Sequence, residues 1–232
     1  KEETNNYLVE INYPKVNNKD LLAYVKEYLQ NKEEEFKNDI SDLENMNSSK
    51  YEFKTDYKIS ENEDVLGVHL IVYKYTGGAH YIRDDKSYYY NKNEEKMVSI
   101  TDFLANDKSL ERLSSLSYYY IMKYSNDNNL GFDENMVKSG LESDPNNFEY
   151  FNFIDEGLEI VFPPLQVACH AAGEVKILIP YSELNGIIKD DYLKYSKTDN
   201  IPNTQNRNLK EFSNKKLIAF TFDDGPSYIG TN

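Results

Sequence analysis

Val65-Leu66-Gly67-Val68-His69-Leu70-Ile71-Val72-Tyr73-Lys74-Tyr75 is the stretch that decides the fold. Apolar side chains fall on both alternating sets of positions, the pattern of a strand covered on both faces, so it belongs in the interior of a sheet. Thr76-Gly77-Gly78-Ala79 follows, and its paired glycines supply the positive φ angles that a tight hairpin turn demands. His80 to Tyr90 then reads as the returning strand. On the upstream side, Tyr51, Phe53, Thr55, Tyr57 and Ile59 repeat with period two and form a neighbouring strand.

Further upstream the period lengthens. Leu21, Val25, Leu29, Phe36, Ile40 and Leu43 lie on one face of a helix expected from about Asp20 to Met46. Its other face carries Glu33, Glu34, Glu35, Asp39, Asp42 and Glu44 against Lys32 and Lys37, which reads as a solvated surface rather than a cation site. Tyr7 to Tyr13 alternates as a strand that Pro14 ends. Residues 1–93 are therefore expected to form a long helix packed on an antiparallel sheet.

Residues 94–192 read as a second α+β unit. A helix begins near Ser109 with Leu110, Leu113, Ser117, Tyr120, Ile121 and Tyr124 inward, and a shorter one covers about Glu134 to Leu141. Phe151 to Ile154 and Leu158 to Phe162 form a hairpin through Asp155-Glu156-Gly157, closed by Pro163-Pro164, which cannot donate to a ladder. Val175 to Ile179 is a further strand, and Ser182-Glu183-Leu184 opens a short helix. The fold class is α+β throughout. Residues 193–214, polar and proline-punctuated around Ile201 to Asn208, read as a linker to a separate segment, 215–232.

Composition narrows the partners. With 26 Lys and Arg against 40 Asp and Glu the formal charge is −14, a field that repels polyanions and argues against nucleic acid. A single cysteine, Cys169, excludes an intramolecular disulfide and cysteine-rich zinc clusters. No apolar run approaches the ~20 residues of a membrane span, so no transmembrane segment is expected. The opening Lys1-Glu2-Glu3-Thr4-Asn5-Asn6 lacks the apolar core of a signal peptide, so a targeting segment is expected to be absent or removed.

One motif carries chemistry. Leu217-Ile218-Ala219-Phe220-Thr221-Phe222 has the look of a strand buried on both faces and runs into Asp223-Asp224-Gly225-Pro226. In barrels of parallel strands the C-terminal strand end is the catalytic face. Gly-Pro breaks the strand at once, so both carboxylates can converge, one ligating a metal while the other takes a proton from metal-bound water. A plain turn remains the alternative, since Asp, Gly and Pro favour turns for their own reasons. A strand this apolar without a barrel to enter is expected to be covered, or to pair with another copy through residues 217–222.

The string Thr221-Phe222-Asp223-Asp224-Gly225-Pro226-Ser227 resembles the first motif of the NodB-homology polysaccharide deacetylases, carbohydrate esterase family four. The resemblance implies Asp223 as general base and Asp224 as ligand of a divalent metal, usually zinc. It also implies a deformed (β/α) barrel, begun by this last strand, that removes acetyl groups from N-acetylated sugars. The family's His-Ser/Thr-x-x-His motif is missing here: His69, His80 and His170 all precede the aspartates, and none are four apart. The chain as it stands is therefore expected to be inactive and to hold no metal tightly, representing only the opening of a deacetylase domain whose parent would be a metal-dependent hydrolase.

The body is similar to the paired domains of unknown function that precede NodB domains in extracellular cell-wall deacetylases of Gram-positive bacteria, and that occur in anti-sigma factor ectodomains that sense lysozyme. The residues that carry this are Tyr75-Thr76-Gly77-Gly78-Ala79-His80, Val161 to Ala168, Ala171-Ala172-Gly173 and Ile179 to Leu184. The likeness implies an extracellular, wall-associated or membrane-tethered accessory region, of a deacetylase acting on wall glycan, that binds or positions a partner without naming it, wall glycan and a lysozyme-like protein being the candidates; the alternative is a sensor or binding module for a lysozyme-like protein or wall glycan. Its candidate ligand-binding residues are His80, Gly77 and Gly78, although a turn-adjacent histidine more often makes a structural hydrogen bond. Cys169 and His170 offer too few ligands for a metal, and Cys169 is expected to be a small buried hydrophobe. Tyr88-Tyr89-Tyr90 and Tyr118-Tyr119-Tyr120 suit either a glycan groove or core and boundary places, the second being favoured in a chain without Trp.

Overall fold

The strand at Val65–Tyr75 is apolar on both sides because each side packs against something different. The structure, a computed structural model, describes residues 1–41, 43 and 50–193, which belong to one compact unit. Its first sheet has six strands in chain order: β1 (Glu2–Glu3), β2 (Tyr7–Glu10), β3 (Tyr51–Glu61), β4 (Val65–Tyr75), β5 (Ile82–Asn91) and β6 (Lys96–Val98). Helix α1 (Lys19–Ser41) lays Leu21, Val25, Leu29, Phe36 and Ile40 onto Phe53, Leu66, Val68, Leu70 and Val72. Each such side chain contributes about 1.5–3 kcal/mol of burial. The odd-numbered face of β4 points away from α1, and there Val65 joins Tyr89 and Val98 in a core built mostly from the second half of the chain.

Two expectations are corrected here. The first sheet is mixed rather than purely antiparallel, because β2 runs parallel to β3, with Val9 opposite Phe53. The helix α1 is the crossover between them, and a helical crossover returns the chain to the same end of the sheet, which makes the pair parallel. The helix also stops at Ser41, short of the expected Met46; Leu43 is 43% exposed, so the apolar stripe ends at Ile40.

The second half begins with α2 (Ile100–Phe103), α3 (Ser109–Asp127) and α4 (Glu134–Gly140). A three-stranded antiparallel meander follows, β7 (Phe151–Ile154), β8 (Gly157–Phe162) and β9 (Val175–Pro180), and α3 lies on β9. Apart from α2, which the sequence reading did not mark, these elements fall where their periodicity placed them, but the inward face of α3 differs. Ser109, Leu113, Ser117, Ile121 and Ser125 are buried, whereas Tyr124 is 43% exposed. The inward stripe advances by fours, so Ser125 takes the place expected of Tyr124, and its hydroxyl accepts the Phe132 backbone N–H at 2.9 Å. A 3₁₀ turn at Tyr181–Glu183 stands where a short helix was expected. Of residues 193–214, only Leu193 is described, and it is buried in the second core. The expected barrel strand at 217–222 lies outside the described residues, as do Asp223 and Asp224. No helix among the described residues is long and apolar enough to cross a membrane.

Candidate binding groove

Three strands present one row of side chains on the face of the first sheet that α1 leaves uncovered. Lys54 on β3 lies opposite Tyr73 on β4, and Tyr73 lies opposite Arg83 on β5. The turn between β4 and β5 closes one end of this row. Gly77 adopts φ 94°, a conformation glycine takes at little cost, whereas a Cβ on Gly78 would meet only the His80 carbonyl oxygen at 3.9 Å. Gly77 thus shapes the turn, and Gly78 is not sterically required.

His80 leaves this turn and meets His170, which comes from a 3₁₀ turn (His170–Ala172) after β8, with ring centroids 6.1 Å apart. Both rings line an open groove of about 520 Å³ together with Lys54, Tyr73, Tyr81, Arg83 and Pro164. The sequence marks His80 and His170 separately; only the fold makes them neighbours. Cys169 is exposed rather than buried, because it caps the start of a 3₁₀ turn none of whose residues is buried. Among the described residues no three His, Cys, Asp or Glu side chains are grouped to hold a metal ion.

Arg83 is the most constrained group in the groove. Its Nε donates to Asp85 Oδ1 at 2.8 Å, and its Nη2 donates to Asp85 Oδ2 at 2.9 Å and to Glu174 Oε1 at 2.6 Å. Burial works against the Arg83 charge, but these bonds outweigh it and raise its pKa above the ordinary value. Glu174 is likewise penalised by burial, yet Arg83 and Lys58 hold its carboxyl below the usual range, Lys58 Nζ lying 3.0 Å from it. The Nη1 edge of Arg83 has no partner among the described residues. Beside it Glu52 accepts from both Lys54 and the Tyr81 hydroxyl, which fixes the Tyr81 ring 5.4 Å from Tyr75.

Behind Arg83 lies a set of residue types that invites a catalytic reading. His69 Nδ1 is 2.9 Å from Ser87 Oγ, and His69 Nε2 is 3.9 Å from Asp85 Oδ2. Three features argue against nucleophilic chemistry. Asp85 is committed to Arg83, and its distance from Nε2 is beyond hydrogen-bond reach. The His69 ring is 3% exposed and stacked on Tyr150 at 3.7 Å. Burial, with Lys58 and Arg83 adding to it, pushes the imidazole down to about 3, so it is a very weak base. His69 is a neutral packing group between the two sheets.

The tyrosine clusters occupy core and boundary places except for Tyr119, which is 55% exposed. Tyr89 is buried and its hydroxyl accepts the Phe151 backbone N–H at 2.8 Å, tying the first sheet to the second. Tyr88 packs 6.0 Å from Tyr24, and Tyr120 donates to Glu183 at 2.8 Å. The groove residues that sequence reading missed are Lys54, Tyr73, Tyr81 and Arg83. The spacing of Arg83 and Asp85, two apart in a strand, was the one available signal, since it puts both on one face.

Comparison with known proteins adds the family context. Residues 1–82 match the family described as Deacetylase PdaC, and residues 101–182 match a protein family of unknown function, DUF3298. Over 242 aligned residues the chain is 29% identical to the peptidoglycan-N-acetylmuramic acid deacetylase PdaC of Bacillus subtilis (strain 168), covering 99% of this chain and 51% of that protein. The chain thus spans about half the length of this curated relative. Two crystal structures share the fold at 18% identity. One is a DUF3298 family protein from Pseudomonas aeruginosa PAO1, with a TM-score of 0.52 over 74% of this chain and 71% of that one. The other is a DUF3298 family member from Bacteroides fragilis NCTC 9343, with a TM-score of 0.55 over 75% of this chain and 72% of that one. The groove draws His80 from the stretch that matches Deacetylase PdaC and His170 from the stretch that matches DUF3298, so the body is similar to these two families in succession and its candidate site is shared between them.

Proposed function

We propose that this chain is the non-catalytic, binding and positioning region of a secreted, metal-dependent polysaccharide N-deacetylase that acts on cell-wall glycan. The observation that carries this reading is the likeness of nearly the whole chain, 99% of it, to one half of a peptidoglycan deacetylase. The groove at His80 and His170 supports it. A fixed arginine edge among aromatic and imidazole rings suits holding a ligand, and the nearest serine and histidine are arranged for packing. Asp223 would act as general base and Asp224 as metal ligand in the intact deacetylase domain, zinc being the usual ion.

Two measurements test this. The chain, supplied with zinc or cobalt and acetylated chitooligosaccharides or peptidoglycan fragments, is expected to release no acetate; metal-dependent release would overturn the non-catalytic assignment. It is also expected to co-sediment with purified peptidoglycan. Binding to a lysozyme-like protein in place of peptidoglycan would favour a sensor role instead.

A further inference from the structure

We infer that the groove between His80 and His170 binds a carboxylate-bearing sugar of the wall glycan, with the Nη1 edge of Arg83 as the carboxylate contact. This rests on the accessory reading above and adds to it the site, the contact residue and the chemical class of the ligand.

The argument starts from Arg83. A guanidinium has five donors in a planar fork, and here Asp85 and Glu174 hold the Nε and Nη2 side. Asp85 is itself only 8% exposed at its side chain, so the fork cannot swing out of the site. What remains is Nη1, a pre-oriented pair of charged donors whose ordering cost has already been met by the fold. Such an edge fits an anionic oxygen better than a neutral hydroxyl, since bonds to charged partners are roughly twice as strong.

The walls specify the rest of the ligand. Tyr73, directly across the ladder from Arg83, together with Tyr81, His80, His170 and Pro164, surrounds the groove with flat, weakly polar ring faces. Faces of this kind pack against the C–H side of a pyranose while their polar tips meet hydroxyls. A volume of about 520 Å³ lies in the range of small-ligand sites, and its open form leaves the bound sugar accessible from solvent. Two other cavities lack this provision: in one of about 480 Å³ Lys50 is closed on Glu3 at 2.7 Å, and in one of about 360 Å³ between Tyr24 and Phe151 Lys86 is closed on Glu149 at 2.5 Å. Of these three cavities among the described residues, the one at Arg83 is where an anion meets a cation with an open donor edge.

Isothermal titration of the full 232-residue chain tests the inference, using the N-acetylglucosaminyl-N-acetylmuramic acid disaccharide against di-N-acetylchitobiose, which lacks the carboxylate. The carboxylated sugar is expected to bind about tenfold more tightly, the effect of one charge-assisted hydrogen bond. Arg83→Lys, which keeps the charge and loses the fork, is expected to abolish most of that preference. Because Arg83 also anchors Asp85 and Glu174, the exposed double variant His80→Ala/His170→Ala provides a second test that leaves the core intact. It is expected to weaken both sugars about tenfold. Equal affinity for the two sugars, or an unchanged affinity in the double variant, overturns the inference. If the chain still co-sediments with peptidoglycan in that case, the groove assignment fails and the accessory reading stands; if it binds no wall glycan at all, both fail together.

Discussion

His69 shows how a single residue couples burial to pH. In the folded protein its ring stays neutral down to about 3, whereas an unfolded histidine takes up its proton near 6.5. The contribution to stability is therefore fully present above pH 6.5 and lost as the pH falls through that value, by about 1.4 kcal/mol for each unit until about pH 3. Urea midpoints measured between pH 7 and 5 are expected to fall in the parent chain and to stay nearly level in His69→Phe, which keeps the stacking on Tyr150. A parallel fall in both would show that other groups drive it. Ser117 gives the opposite kind of case: its hydroxyl is buried on the inward face of α3 without a hydrogen-bond partner among the described residues. Ser117→Ala removes an unsatisfied group and improves helix propensity, so thermal melting is expected to show about 1 kcal/mol of stabilisation. Neither feature was legible in the sequence. His69 stood in an apolar run and Ser117 at a helical spacing, but the presence or absence of a partner for each is settled by residues far along the chain.

At the scale of elements, periodicity read well because it reflects a local rule. The helices at 109–127 and 134–140 and the hairpin at 151–162 fall where their spacing puts them. What periodicity misses is how closely elements approach. The last residue of α4, Gly140, would place a Cβ 2.1 Å from the Gln166 carbonyl oxygen, and Gln166 returns its side chain to the Gly140 and Asn147 carbonyls at 2.9 Å each. Gly140→Ala must therefore push the Pro163–Gln166 loop off the helix end. A loss of about 2 kcal/mol or more is expected in chemical denaturation, with amide signals of that loop shifting in NMR spectra. An alanine variant as stable as the parent would mean that the loop moves freely. The parallel pairing of β2 and β3 was hidden for a related reason, since strand direction is fixed by where a connection returns and alternation looks the same both ways.

At the scale of the described residues, the first sheet covers one core with α1 and shares the second core with the second half. Val65, Tyr89 and Val98 from the first half pack with Phe151 and Phe153 from the second, and Tyr89 bonds the Phe151 backbone. Residues 1–193 are accordingly expected to unfold in a single transition, with far-ultraviolet dichroism and tyrosine fluorescence coinciding in denaturant. Two separated transitions would contradict a shared core. The same closeness of the halves builds the groove, because His170 and Glu174 reach Arg83 and His80 only when the second half folds against the first sheet.

The sequence by itself determined the α+β class, the order of most elements, the acidic character of the surface and the residues that carry the likeness to wall deacetylases. These follow from period, composition and short motifs, all of which act over a few residues. The tertiary structure alone decided the mixed pairing of the first sheet, the neutral state of His69 and the meeting of His80, His170 and Arg83 in one groove. Each depends on contacts between residues tens of positions apart, and the closure of such contacts is set by how whole faces pack, which no local pattern records.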